Sequence, residues 1–202
     1  MPEIVLFAED FGQETFLDTL LRRLASDHGV RVEIRPRSTR GGLGQMKSEL
    51  RQFLRDLKAQ RAHLPDLLLV ARDANCSGFQ ACRRGLEAIV PEELRDLIVY
   101  AIPDPHIERW LLLDSAAFKA AVGKGCAAPD HKCEKHRYKQ LLRQAVRDAG
   151  TEPLLGGLEH TESIVQELDL SRLEMLDRPF KELLAELRRW FKRWQVAGGS
   201  SS

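Results

Sequence analysis

Several features that would classify a chain quickly are missing from this one. No apolar run approaches the roughly 20 residues that span a bilayer, so no membrane span is expected. Neither sign of charge is in excess: 31 Lys and Arg face 30 Asp and Glu, a net charge of +1. That balance argues against a protein that binds DNA by bulk phosphate neutralisation. It is compatible with an acidic centre flanked by basic segments. Cysteine is scarce, four in 202 residues, too few for a disulfide frame, so reduced thiols and a cytoplasmic location are expected. Met1-Pro2-Glu3 puts no basic segment ahead of Ile4–Phe7, and no signal peptide is expected. Gly-x-x-x-x-Gly-Lys-Ser/Thr and Gly-x-Gly-x-x-Gly are both absent, which excludes the usual ATP and dinucleotide cradles. The remainder, 43% hydrophobic and 30% charged, is a globular composition long enough to bury a core.

Continuous apolar runs at 4–8, 67–71 and 97–102 suit strands buried on both faces. Residues 30–35 alternate with period 2, as expected of a strand at or near an edge. Helical spacing fills the intervals: Phe16, Leu17, Leu20, Leu21 and Leu24, then Met46, Leu50, Phe53, Leu54 and Leu57, then about 78–89, then a helix opening at Ile107. Strands alternating with helices predict an α/β fold, a four-stranded, mostly parallel sheet with helices on both faces. That domain is expected over 1–122. A helical extension packed on it is expected over 123–197, with helices near 136–149, 159–168 and 179–195, and a flexible tail over 198–202.

In an open parallel sheet, ligands collect outside the carboxyl ends of the strands. The first strand ends at Glu9-Asp10, the third at Asp73-Ala74-Asn75 and the fourth at Asp104, with Glu108 a turn further on. Any one of these acids is explained as a helix N-cap. The set is not, because its members share an edge and would repel without a cation. Hard oxygen ligands point to Mg²⁺ or Mn²⁺ rather than zinc, and such an ion can clamp phosphate and activate water. Glu9, Asp73 and Glu108 are the candidate catalytic acids. Glu9, Asp73, Asn75 and Asp104 are the candidate metal ligands, and Asp10 and Glu14 stand behind them as supporting acids.

Three segments carry a resemblance: Leu6-Phe7-Ala8-Glu9-Asp10, Leu69 through Asn75, and Ile102-Pro103 through Ile107-Glu108-Arg109-Trp110-Leu111-Leu112. Together they resemble the TOPRIM domain of topoisomerases, primases and OLD-type nucleases. They are most similar to a group of small bacterial TOPRIM-like proteins encoded beside an ATPase and linked to phage defence. The resemblance implies a Mg²⁺-dependent nuclease acting on DNA or RNA, partnered by an ATPase, with Glu9 handling metal or protons and Asp73 a primary ligand. A homodimer is compatible with it. Two positions depart from the pattern. Asp10 replaces the Gly usual after the first Glu, and Asn75 replaces the second acid of Asp-x-Asp. A weaker centre, or one completed by Asp104 or Glu108, is therefore expected. The competing expectation is a catalytically weak subunit for protein association, in which Trp190, Phe191 and Trp194 matter more than the acids.

Arg37 and Arg40 in a Gly-rich loop, and Lys132, Lys135 and Lys139 in a basic segment, are the candidate nucleic-acid contacts. Cys126, His131, Cys133 and His136 offer four zinc-type ligands, but their spacing matches no established finger, and a polar loop is the preferred reading. Cys76 and Cys82 flank a helix start that favours a thiolate, but with no His nearby in sequence a catalytic cysteine is not the preferred reading, and Cys82 reads as a small core residue.

Overall fold

A computed structural model describes residues 1–38, 42–134 and 136–199. Arg40, Lys135 and the Ser200–Ser202 end of the expected tail lie outside the described residues. Four strands, β1 (Glu3–Ala8), β2 (Glu33–Ser38), β3 (Leu67–Ala71) and β4 (Ile98–Ala101), form one all-parallel sheet in the order β2-β1-β3-β4. The α/β architecture with a parallel sheet is thus as the sequence pattern predicts. Strand β2 begins three residues later than its alternation suggests. Its register, Glu3 opposite Glu33 through Ala8 opposite Ser38, carries Pro36 into the ladder. An edge strand tolerates that missing donor.

Side chains alternate across the sheet and divide the core in two. Val5, Phe7, Leu68, Val70, Ile98 and Tyr100 face α2 (Gly42–Lys58) and α3 (Phe79–Glu87). Ile4, Leu6, Leu67, Leu69 and Val99 face α1 (Phe11–Asp27) and the remaining helices. Those are α4 (Ile107–Leu112), α5 (Ser115–Val122), α6 (Arg137–Asp148), α7 (Thr161–Glu167), α8 (Leu170–Leu176) and α9 (Arg178–Gly199). This second core runs without a break from the sheet into Leu142, Ile164, Leu173, Phe180 and Leu187.

Asp114 splits the helix expected after Ile107, since its side chain caps α5 by accepting from Ala116 N and Ala117 N. Asp177 ties the C-terminal helices to the sheet layer. Buried, it accepts from Arg109 Nη1, from Trp110 Nε1 at 3.0 Å and from Phe180 N at 2.9 Å. Helix α9 continues through Gly198–Gly199, two residues of the expected tail. No described helix is long and apolar enough to cross a membrane.

Cysteine pairing departs from the expectation of reduced thiols. Cys76 and Cys133 form a disulfide across 57 residues, leaving Cys82 and Cys126 free. The zinc set is not brought together either. Cys133 is in that bond, Cys126 Sγ sits 3.6 Å from Leu112 O, and His131 Nε2 faces Asp104 Oδ1 at 3.6 Å. His136 sits at the start of α6 with φ +62°. With Cys76 oxidised, an activated thiolate at that position is also ruled out.

Candidate metal centre

The carboxyl ends of β1, β3 and β4 open toward one edge, where α1 and α4 also begin. Asp73 follows β3, and three donors converge on it. Gln13 Nε2 reaches Oδ1 at 2.9 Å, Ile107 N reaches the same oxygen at 3.1 Å, and His106 Nδ1 lies 2.9 Å from Oδ2. Gln13 is fully buried, and its Oε1 also accepts from Glu9 N at 3.0 Å. One amide therefore links the end of β1 to the end of β3.

His106 precedes α4, and Glu108 lies in its first turn. Asp73, His106 and Glu108 each offer a ligand atom, and these atoms lie within 4.8 Å of one another. Glu108 is 1% exposed, and its Oε2 has no hydrogen-bond partner among the described residues. Among the described residues the cation paired with Glu108 is Lys139, whose Nζ is 3.9 Å from Oε1. A buried carboxylate oxygen without a donor is costly. A cation at the cluster would remove that cost, so the donor set fits a metal. Two carboxylates and an imidazole suit Mn²⁺ and similar borderline ions better than an all-oxygen cage would. The hydrogen bond from His106 to a buried carboxylate is the kind of contact that fixes the ring of a metal-ligating histidine.

Electrostatics mark the same place. Burial, then the charge of Asp73, pushes the Glu108 carboxyl up to about 7. Burial also raises Asp73, against the hydrogen bonds from His106 and Gln13 that favour its ionised form. Glu9 is raised by burial and then by Asp73 and Asp10, and its Oε2 is likewise buried without a partner. The hydrogen bond to Asp73 raises His106.

Of the acids singled out by sequence, the fold brings Asp73 and Glu108 into one cluster. Glu9 stands outside the tight triad but within its field. Asp10 caps α1, accepting from Gln13 N at 3.0 Å, and its charge still reaches Asp73 and Glu108. Glu14 is half-buried one turn along, raised by burial and Asp18. Asp104 is not gathered in: its Oδ2 accepts from Phe79 N at 3.0 Å at the start of α3. Asn75 donates from its Nδ2 to Asp73 O at 3.1 Å.

Among the basic candidates, Lys139 reaches the cluster, whereas Lys132 pairs with Asp130 at 3.3 Å. Arg37 stacks over Phe53, 4.5 Å from the ring centre. Gln13 and His106 were missed. The only sequence signal for either is its position, in the first turn after Glu9-Asp10 and immediately before Ile107-Glu108.

The fold and the site define a parallel α/β protein with a buried carboxylate–histidine cluster at the carboxyl edge of its sheet. Residues 8–188 match the family described as a domain of unknown function (DUF4276), and the chain belongs to that family. No curated protein and no solved structure gives a significant match.

Proposed function

We propose that the chain is a TOPRIM-like, Mg²⁺- or Mn²⁺-dependent nuclease that hydrolyses phosphodiester bonds in nucleic acid. The observation that carries this reading is the cluster of Asp73, His106 and Glu108, with its buried, unpartnered Glu108 oxygen. Asp73 and Glu108 would hold the ion with His106, while Gln13 and Ile107 N fix the Asp73 carboxylate in place. A bound divalent ion supplies charge to offset the phosphodiester oxygens and lowers the pKa of water. Glu9, raised by burial and by Asp73, takes the proton from the attacking water. Lys139, with its ammonium 3.9 Å from Glu108 Oε1, would meet the phosphate.

An ATPase partner and a cytoplasmic location belong to this reading through the TOPRIM-like resemblance of Leu6–Asp10, Leu69–Asn75 and Ile102–Leu112. Purified protein is incubated with plasmid, single-stranded DNA and RNA in Mg²⁺ or Mn²⁺, beside Asp73→Ala and Glu108→Gln. The wild type cleaves and both variants do not. Cleavage surviving both substitutions overturns the site. Absence of both cleavage and Mn²⁺ binding by the wild type points instead to a non-catalytic subunit.

A further inference from the structure

Strand β4 is an edge strand of the sheet, and α9 packs against it. Between α3 and α9 the strand lies at the bottom of a groove of about 590 Å³, lined by Ile98, Val99 and Tyr100 and by side chains of both helices. Arg83 bridges the two helices across this floor. It pairs with Glu87 at 2.9 Å, Glu182 at 3.3 Å and Glu186 at 3.4 Å, and stacks over Tyr100. That one guanidinium bridges three glutamates and offsets one of their charges. Arg84, Arg95 and Arg189 line the same groove, are exposed and form no ion pair among the described residues.

The groove continues at both ends. Arg84 is shared with a second hollow of about 490 Å³ whose lining includes Asp104, two residues before His106 in the chain. Arg189 and Trp190 are shared with a third, of about 410 Å³, that includes Arg193. Arg193 lies over the Trp190 ring at 4.7 Å, and Trp190 packs beside Trp194. The trough thus runs along the β4 edge from the carboxyl end of the sheet to an aromatic platform. Arg83, Arg84, Arg95, Arg189 and Arg193 line the groove and its aromatic end against Glu87, Asp96 and Glu186, and among the described residues Arg84, Arg95, Arg189 and Arg193 form no ion pair.

We infer that this trough binds single-stranded nucleic acid, its phosphates on Arg84, Arg95 and Arg189 and a base at the Arg193–Trp190 stack. An excess of unpaired arginines suits a polyanion, and an indole at one end suits an unstacked base rather than a duplex. The inference rests on the proposed nuclease reading only for its direction, since the strand would leave the trough at Asp104 toward Glu108.

The test keeps binding apart from cleavage. Fluorescence anisotropy in EDTA measures labelled single-stranded DNA and RNA of about 20 nucleotides, longer than a typical single-strand site, and the matching duplex. Arg95→Glu/Arg189→Glu is compared with wild type after circular dichroism shows both folded; these side chains are exposed, so the fold is not at stake. The double variant is expected to bind single strands about tenfold more weakly or worse. Its log–log salt slope should fall by about 1.4, two phosphate contacts at about 0.7 each. Binding should quench tryptophan emission in the wild type and leave it unquenched in Trp190→Phe. The DNA and RNA arms show which backbone is preferred.

Equal binding by the double variant, or duplex binding as tight as single-strand binding, overturns the assignment. So does binding by neither single strand, which would leave the groove to a protein partner. Because no metal is present, failure of the nuclease reading leaves these results intact. Cleavage by wild type that the double variant retains in full sinks the trough and spares the metal centre.

Discussion

Glu108→Gln separates the metal centre from the stability of the fold. Glu108 is 1% exposed, with one oxygen lacking a partner among the described residues and Lys139 at 3.9 Å from the other. Its carboxyl is pushed from 4.5 to about 7. The folded state therefore keeps this proton to higher pH than the unfolded chain does. Between those two values the unfolded state binds fewer protons, so the stability contribution falls as pH rises through the window and is lowest above about 7. A gap of about 2.5 units at about 1.4 kcal/mol each amounts to about 3 kcal/mol. Gln carries an amide burial cost of its own, but that cost does not titrate. The difference in unfolding free energy between wild type and Glu108→Gln should therefore move by about 3 kcal/mol in favour of Gln between about pH 4 and pH 8. Urea melts in EDTA read this directly. In thermal melts it corresponds to about 6–12 °C for a chain of this size. Added Mn²⁺ should raise the wild-type melt and leave the variant where it was. Parallel stability curves across the whole pH range would refute the reasoning.

Asp177→Ala removes the acceptor of Arg109, Trp110 and Phe180 and leaves a buried guanidinium unpaired. Urea unfolding should show a loss of about 3–5 kcal/mol. Cys76→Ser opens a cross-link of 57 residues, which in the chain-entropy model costs about 4 kcal/mol. Differential melts with and without reductant should show that loss in the wild type and no further loss in the variant. Gln13→Ala removes the amide that holds Asp73 and Glu9 N, and titration should find Mn²⁺ binding about 10- to 100-fold weaker with the fold retained.

Strands β1 and β3 were legible because burial on both faces demands unbroken apolar runs, and those runs stop where the ligand edge starts. The alternation at 30–35 located β2 only roughly. Its register is set by hydrogen bonds to β1, which periodicity does not encode. The acids were legible as a set but not one by one. Asp73 and Glu108 converge because Ile107 N and His106 reach back to Asp73 from 34 and 33 residues away. Asp104, equally acidic and on the same edge, turns to the N-terminus of α3 instead. The Cys76–Cys133 bond could not be read from spacing, since it depends on how the segment after α5 returns to the loop after β3.

Calorimetric titration of the metal-stripped protein with Mn²⁺ tests the central claim most directly, with wild type beside Asp73→Ala, His106→Ala and Glu108→Gln. One site per chain in the wild type, lost or severely weakened in all three folded variants, is the predicted result. Unchanged Mn²⁺ affinity in the three variants would contradict a metal centre built on these residues.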